Sequence, residues 1–128
     1  MTYYFAKTVS ASLEDAEKKV TQALKSEGFG ILTEIDVKAT LRKKLDVDFH
    51  PYKILGACNP PFALQALQAE EKIGLMLPCN VIIQEKEPGK CEVAAIDPLT
   101  AMGMIPNPKL KDIAGNVRAK LIKVIETL

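Results

Sequence analysis

Two stretches of the chain form a near repeat. Residues 57–60 read Ala-Cys-Asn-Pro and residues 78–81 read Pro-Cys-Asn-Val. Each Cys-Asn pair falls at the end of a predicted strand, the first opening a helix and the second entering a hairpin. Thiols so placed are candidates for a nucleophile, a soft-metal ligand or one half of a reversible disulfide. A thiolate just before a helix N-terminus is favoured by the free N–H groups and the helix dipole. That makes Cys58 the better nucleophile, with Cys79 as its partner. The plain alternative is that both are small buried apolar residues, since free cysteine is among the most buried types. Asn59 and Asn80 then only cap a helix and a turn.

Two further residues invite chemistry. His50, the one histidine, lies in Asp46-Val-Asp-Phe-His-Pro51 beside two carboxylates. It fits a base or ligand, but no second histidine or spaced acidic pair accompanies it, so a solvated loop residue is the simpler reading. Asp97 precedes Pro98 and faces either a hollow lined by Met102, Met104 and Ile105 or, more simply, its own turn. No Ser/His/Asp arrangement and no Gly-x-Ser-x-Gly elbow occurs.

The elements that position these residues follow from periodicity. Residues 2–9 are aromatic and β-branched and read as a strand. Ser12 begins a capping-box-like start. Leu13, Ala16, Val20, Ala23 and Leu24 recur at helical spacing, so a helix runs about 13–27 and ends at Gly28. Ile31, Thr33, Ile35 and Val37 alternate as a strand. A short helix over 38–45 carries Arg42-Lys43-Lys44 on a solvated face. Tyr52 to Cys58 reads as a strand, and Asn59-Pro60 gives an N-cap followed by proline at the first helical position. That helix spans roughly 60–72. Residues 81–97 form a hairpin about the type II turn Glu87-Pro88-Gly89-Lys90. Residues 98–108 are an apolar loop. Asn107-Pro108 opens a last helix over about 109–127, with Leu110, Ile113, Val117, Leu121, Val124 and Leu128 on one face.

The order β-α-β-(short α)-β-α-β-β-α predicts an α+β domain, residues 1–128, with a mainly antiparallel sheet and two long helices on one face. No G-x-G-x-x-G or P-loop is present, so a nucleotide-phosphate site is excluded. The 128 residues suit one core, and 48% hydrophobic with 26% charged residues is ordinary for a globular chain. A net charge of +1 with 5% aromatic residues speaks against nucleic acid and against charge-driven lipid binding. The start lacks a basic segment followed by an apolar stretch, and no apolar run approaches the ~20 residues of a membrane span. The expectation is a cytoplasmic protein. Cys58, Cys79 and Cys91 form an odd set with no C-x-x-C pair, which gives zinc-finger and thioredoxin readings no support. No metal site and no cofactor is implied.

Three segments carry a resemblance. Tyr52-Lys-Ile-Leu-Gly-Ala-Cys-Asn-Pro60, Ile73-Gly-Leu-Met-Leu-Pro-Cys-Asn-Val81 and Ile96-Asp-Pro98 resemble the domain-of-unknown-function family 302, over almost the whole chain. The resemblance implies a compact α+β domain similar in fold to one repeat of TATA-binding protein, found as homodimers. It implies no activity and no catalytic residues. Fold likeness to a DNA-binding protein does not transfer DNA binding. Pro61 stands where the family has a non-proline residue, and Cys91 and His50 lie outside its motif. Three functional expectations result. The first is a non-catalytic homodimer that binds a small ligand or protein partner, with Cys58, Asn59, Cys79, Asn80 and Asp97 as the candidate site. The second is a thiol-based metal, sulfur-species or redox role for Cys58 and Cys79. The weakest is acid/base catalysis by Asp97 with His50.

Overall fold

The computed structural model describes residues 2–128. Five strands, β1 (Tyr4–Ser10), β2 (Gly30–Asp36), β3 (Tyr52–Cys58), β4 (Cys79–Glu87) and β5 (Lys90–Ile96), form one sheet in the order β1-β5-β4-β3-β2. Every neighbouring pair is antiparallel. The helices are α1 (Leu13–Ser26), α2 (Val37–Leu45), α3 (Pro60–Ala69), α4 (Pro98–Ala101) and α5 (Pro108–Glu126). The main elements follow the expected order, and two short ones are additional. α3 stops at Ala69, short of the expected end near residue 72, because Glu70 is extended, and residues Glu71–Met76 form a 3₁₀ helix that runs through Gly74, a residue expected to end the helix. The expected loop after β5 begins with α4, since Asp97-Pro98 is itself an N-cap and first-position proline.

α1 is fixed at both ends. The Ser12 hydroxyl accepts from the Asp15 N–H at 3.2 Å, and Glu85 of β4 accepts from the Leu13 N–H at 3.0 Å. At the other end Gly28 has φ +85°, and the N–H groups of Gly28 and Phe29 donate back to Lys25 and Leu24. This is the glycine-terminated geometry that satisfies the last carbonyls of a helix. Val20 and Leu24 of α1 join Val117, Leu121 and Val124 of α5 over one sheet face, against Leu55, Val81, Ile83 and Val93. Lys53 ties α1 to the sheet, reaching Glu17 and Glu34 at 2.7 Å each.

A second, smaller cluster lies beyond the end of the sheet. Ala66 of α3, Ile73 of the 3₁₀ helix, Met102, and Leu110 and Ala114 of α5 make it up. The two clusters meet along α5, and that seam positions the candidate site. Among the described residues no helix is long and apolar enough to cross a membrane.

Candidate functional site

The seam encloses a cavity of about 270 Å³. Ala57 and Cys79 close it from the sheet, Phe62 and Ala66 from α3, and Ala114 and Val117 from α5. Leu32 and Leu67 also line it, and they are 66% and 46% exposed. They mark where the cavity opens. The walls are almost wholly apolar, and a void of this kind favours an apolar guest over water.

Cys58 and Cys79 both border this cavity. Ala57 and Cys79 are cross-strand partners, so β3 and β4 deliver the two cysteines to one end of the sheet. Burial pushes the Cys79 thiol up to about 11, helped by the neighbouring charge of Cys58. Cys79 therefore stays protonated at neutral pH and presents an apolar surface. Cys58 is half-buried. The helix it precedes offers it little, because Pro60 and Pro61 lack N–H groups and the Ala63 N–H is bound to the Asn59 carbonyl. Of the first turn, only the Phe62 N–H remains free to face an anion.

Asn59 holds the N-cap position of α3, but its side chain makes no capping bond. It is 8% exposed and instead donates to the Glu27 carbonyl at 3.3 Å. The side chain lies against Gly28, where an added Cβ would stand 3.1 Å from Asn59 Nδ2. Asn59 thus fastens the start of α3, which forms one wall of the cavity, to the end of α1.

The remaining sequence candidates sit elsewhere. Asn80 is exposed and belongs to the sheet face away from the helices, because it is the residue after Cys79 in an extended strand. Asp97 does not border the cavity. One of its oxygens accepts from the Leu99 N–H at 3.0 Å, which caps α4, and the other takes Arg118 Nε at 3.2 Å. The plain reading of Asp97 as a turn cap is the observed one. Arg118, which also lies over the Phe5 ring at 5.1 Å, escaped sequence reasoning. Its position off the apolar stripe of α5 was the available signal. Met104 is exposed rather than lining a hollow.

His50 and Asp97 belong to opposite ends of β5. His50 bonds Gln84 at 3.0 Å, and Gln84 is the cross-strand partner of Glu92. Asp97 lies five residues further along, roughly 16 Å of extended chain. The expected acid/base pairing of these two residues is not formed. Among the described residues no group of three His, Cys, Asp or Glu side chains could hold a metal ion. The three cysteines are all free thiols.

Comparisons with known proteins agree with the fold. A crystal structure of an uncharacterized conserved protein DUF302 from Bacillus stearothermophilus superimposes with a TM-score of 0.90 and 29% sequence identity, covering 98% of each chain. No match was found among curated proteins. The family model described as "Domain of unknown function DUF302" matches residues 5–128. The chain belongs to this family of domains of unknown function.

Proposed function

We propose that this domain is a non-catalytic binding module that works as a homodimer and takes a small, uncharged, apolar molecule into the seam cavity. The cavity carries this reading. Its volume of about 270 Å³ is close to the lower end of ligand sites, roughly 300 Å³. Its walls offer packing rather than charge, and Cys79, held up at about 11 by burial, adds a neutral thiol. An uncharged hydrocarbon or aromatic ring of about ten heavy atoms suits such a space. Thiol chemistry is the lesser reading. It would rest on Cys58 alone, at a helix start that two prolines strip of donors.

A second copy of the chain fits the flank of β2. This is an edge strand without proline, and its outward backbone groups are free to pair. A bulge leaves Leu32 as the extra residue, without a cross-strand partner. Leu64 and Leu67, three apart on α3, expose one apolar face beside it. Two such flanks related by a two-fold axis are self-complementary, and the contact would lie across the cavity mouth. Cytoplasmic residence belongs to the same proposal and is supported by the odd cysteine count. The kinship to TATA-binding protein is proposed as one of architecture only.

Two measurements test this reading. Ala63 also lines the cavity, so n-butylbenzene should raise the thermal unfolding temperature of the native chain and not that of Ala63→Leu, whose longer side chain fills the cavity. Equal stabilisation of both would remove the cavity as the site. Light scattering on the eluting native protein should give twice the chain mass, and Leu32→Glu should give a monomer. A native monomer at 100-micromolar-scale concentration (about 10⁻⁴ M, where contacts of ordinary affinity are saturated) would remove the dimer.

A further inference from the structure

The sheet face away from the helices can be laid out from the register. Tyr4 stands opposite Ile96, and Asn80 opposite Gly56. The next row runs Ala6, Ala94, Ile82, Ile54, Ile35 across all five strands. The third runs Thr8, Glu92, Gln84, Tyr52. Ala94, beside Ala6 and between Glu92 and Ile96 along its own strand, is only 7% exposed. A hollow of about 440 Å³ results above it. The chain has three tyrosines and no tryptophan, and Tyr3, Tyr4 and Tyr52 all line this hollow together with Asn80, Gln84 and Glu92.

We propose that this hollow binds a small organic cation, a protonated or quaternary amine, between the Glu92 carboxylate and the faces of the tyrosine rings. This goes beyond the apolar cavity, which is separate from it and on the other side of the sheet. Three observations carry the proposal. The first is the state of Glu92. One oxygen accepts from Gln84 Nε2 at 3.1 Å, and no lysine or arginine among the described residues pairs with it. Since a carboxylate only accepts, the Gln84 amide is fixed with its oxygen toward His50, whose Nε2 lies 3.0 Å away and donates to it. His50 is in turn stacked on Phe49 at 4.3 Å. Glu92 is thus oriented through a supported side chain and keeps its negative charge uncompensated.

The second observation is the aromatic lining. Tyr3 and Tyr4 meet edge to face at 5.1 Å, and the negative face of such rings attracts cations. The third is exclusion. Among the described residues no basic side chain lines the hollow, which gives an anion no side-chain partner there. Ile82 and Ala94 give the hollow an apolar floor, while Glu92, Gln84 and Asn80 give it a polar edge, a mixture that suits a cation carrying methyl groups better than a purely hydrocarbon guest.

All the tyrosines lie at this one site, so tyrosine fluorescence reads it directly. Choline is the probe, and 3,3-dimethylbutan-1-ol, its uncharged carbon isostere, is the control. The expected result is a saturable change with choline and none with the alcohol. Glu92→Gln, which keeps the bond to Gln84, should weaken choline at least about tenfold, and Tyr52→Leu about three- to tenfold. Stabilisation by n-butylbenzene should be unchanged in both variants, so failure here leaves the apolar cavity standing. Equal responses to choline and the alcohol would overturn the proposal, as would undiminished choline binding in Glu92→Gln. It would also fall if tyrosine fluorescence changed on dilution and not with choline, which would assign this face to a second copy of the chain.

Discussion

Cys79 and Asn80 are consecutive in the chain and face opposite sides of the sheet. Cys79 belongs with Ala57 and Val117 on the cavity side, and Asn80 belongs with Tyr4 and Glu92 on the open side. The strand alternation that separates them also separates the two sites argued above. It accounts for two neighbouring residues serving different surfaces, one an almost wholly apolar cavity and the other a hollow with a carboxylate at its edge.

Stability should fall as the pH rises from 9 to 11. The Cys79 thiol titrates at about 11 in the folded chain against an ordinary 9.0. Between those values the unfolded chain loses this proton and the folded chain keeps it, so unfolding is favoured. The stabilisation is complete below pH 9 and lost by about pH 11, with an amplitude of about 2–3 kcal/mol. Urea denaturation of the native chain and of Cys79→Ala across this range checks it. The variant should show a smaller loss across this range, the remainder coming from Cys91, whose thiol burial also raises. It should retain the loss at higher pH from Lys53, whose ion pairs with Glu17 and Glu34 hold it above its ordinary value.

Gly28→Ala should cost about 1–2 kcal/mol. The residue has φ +85°, and its Cβ would press on Asn59 Nδ2. Asn59→Leu removes the bond to the Glu27 carbonyl and should cost a similar amount. The double variant should lose less than the sum, because both changes break one junction. Chemical denaturation of the four proteins gives the coupling directly.

Arg118→Met should destabilise by about 1–2 kcal/mol. It leaves Asp97, only 7% exposed, without its counter-charge. The figure is at the low end for a broken ion pair because Arg118 itself is 40% exposed. Asp97→Asn keeps the acceptor for Leu99 and should cost less. A larger loss in Asp97→Asn than in Arg118→Met would contradict this ordering.

Gly56→Ala should be among the most damaging single-methyl changes. The new Cβ would overlap Thr33 Oγ1 and stand 2.6 Å from Pro78 Cγ. Pro78 also forms part of the cavity wall, so the change should lower both the urea midpoint, by about 2–3 kcal/mol in stability, and the affinity for n-butylbenzene.

Much of the fold was legible because local signals agreed. Ser12 and Gly28 mark the ends of α1, and Pro88-Gly89 marks the hairpin. The 3₁₀ helix and α4 were hidden because Gly74, Pro98 and Gly103 read as breakers. Yet Asp97-Pro98 repeats the device of Asn59-Pro60 and Asn107-Pro108, which was the missed signal. The two Cys-Asn pairs led to the cavity. The split between Cys79 and Asn80 was obscured by starting the strand at Val81, and by Ile82, an apolar residue on the open face that masks the alternation. The pairings of Asn59 with Glu27, Asp97 with Arg118 and Glu92 with Gln84 and His50 join separate elements, and no periodicity encodes them.

The account rests most heavily on the apolar cavity. A methyl-resolved NMR titration with n-butylbenzene tests it most directly. Saturable shifts confined to the methyls that line the cavity, Leu32, Ala57, Ala66, Leu67, Ala114 and Val117 among them, are the predicted result. No saturable shift, or shifts of equal size at Ile54 and Ile82 on the open face, would contradict it.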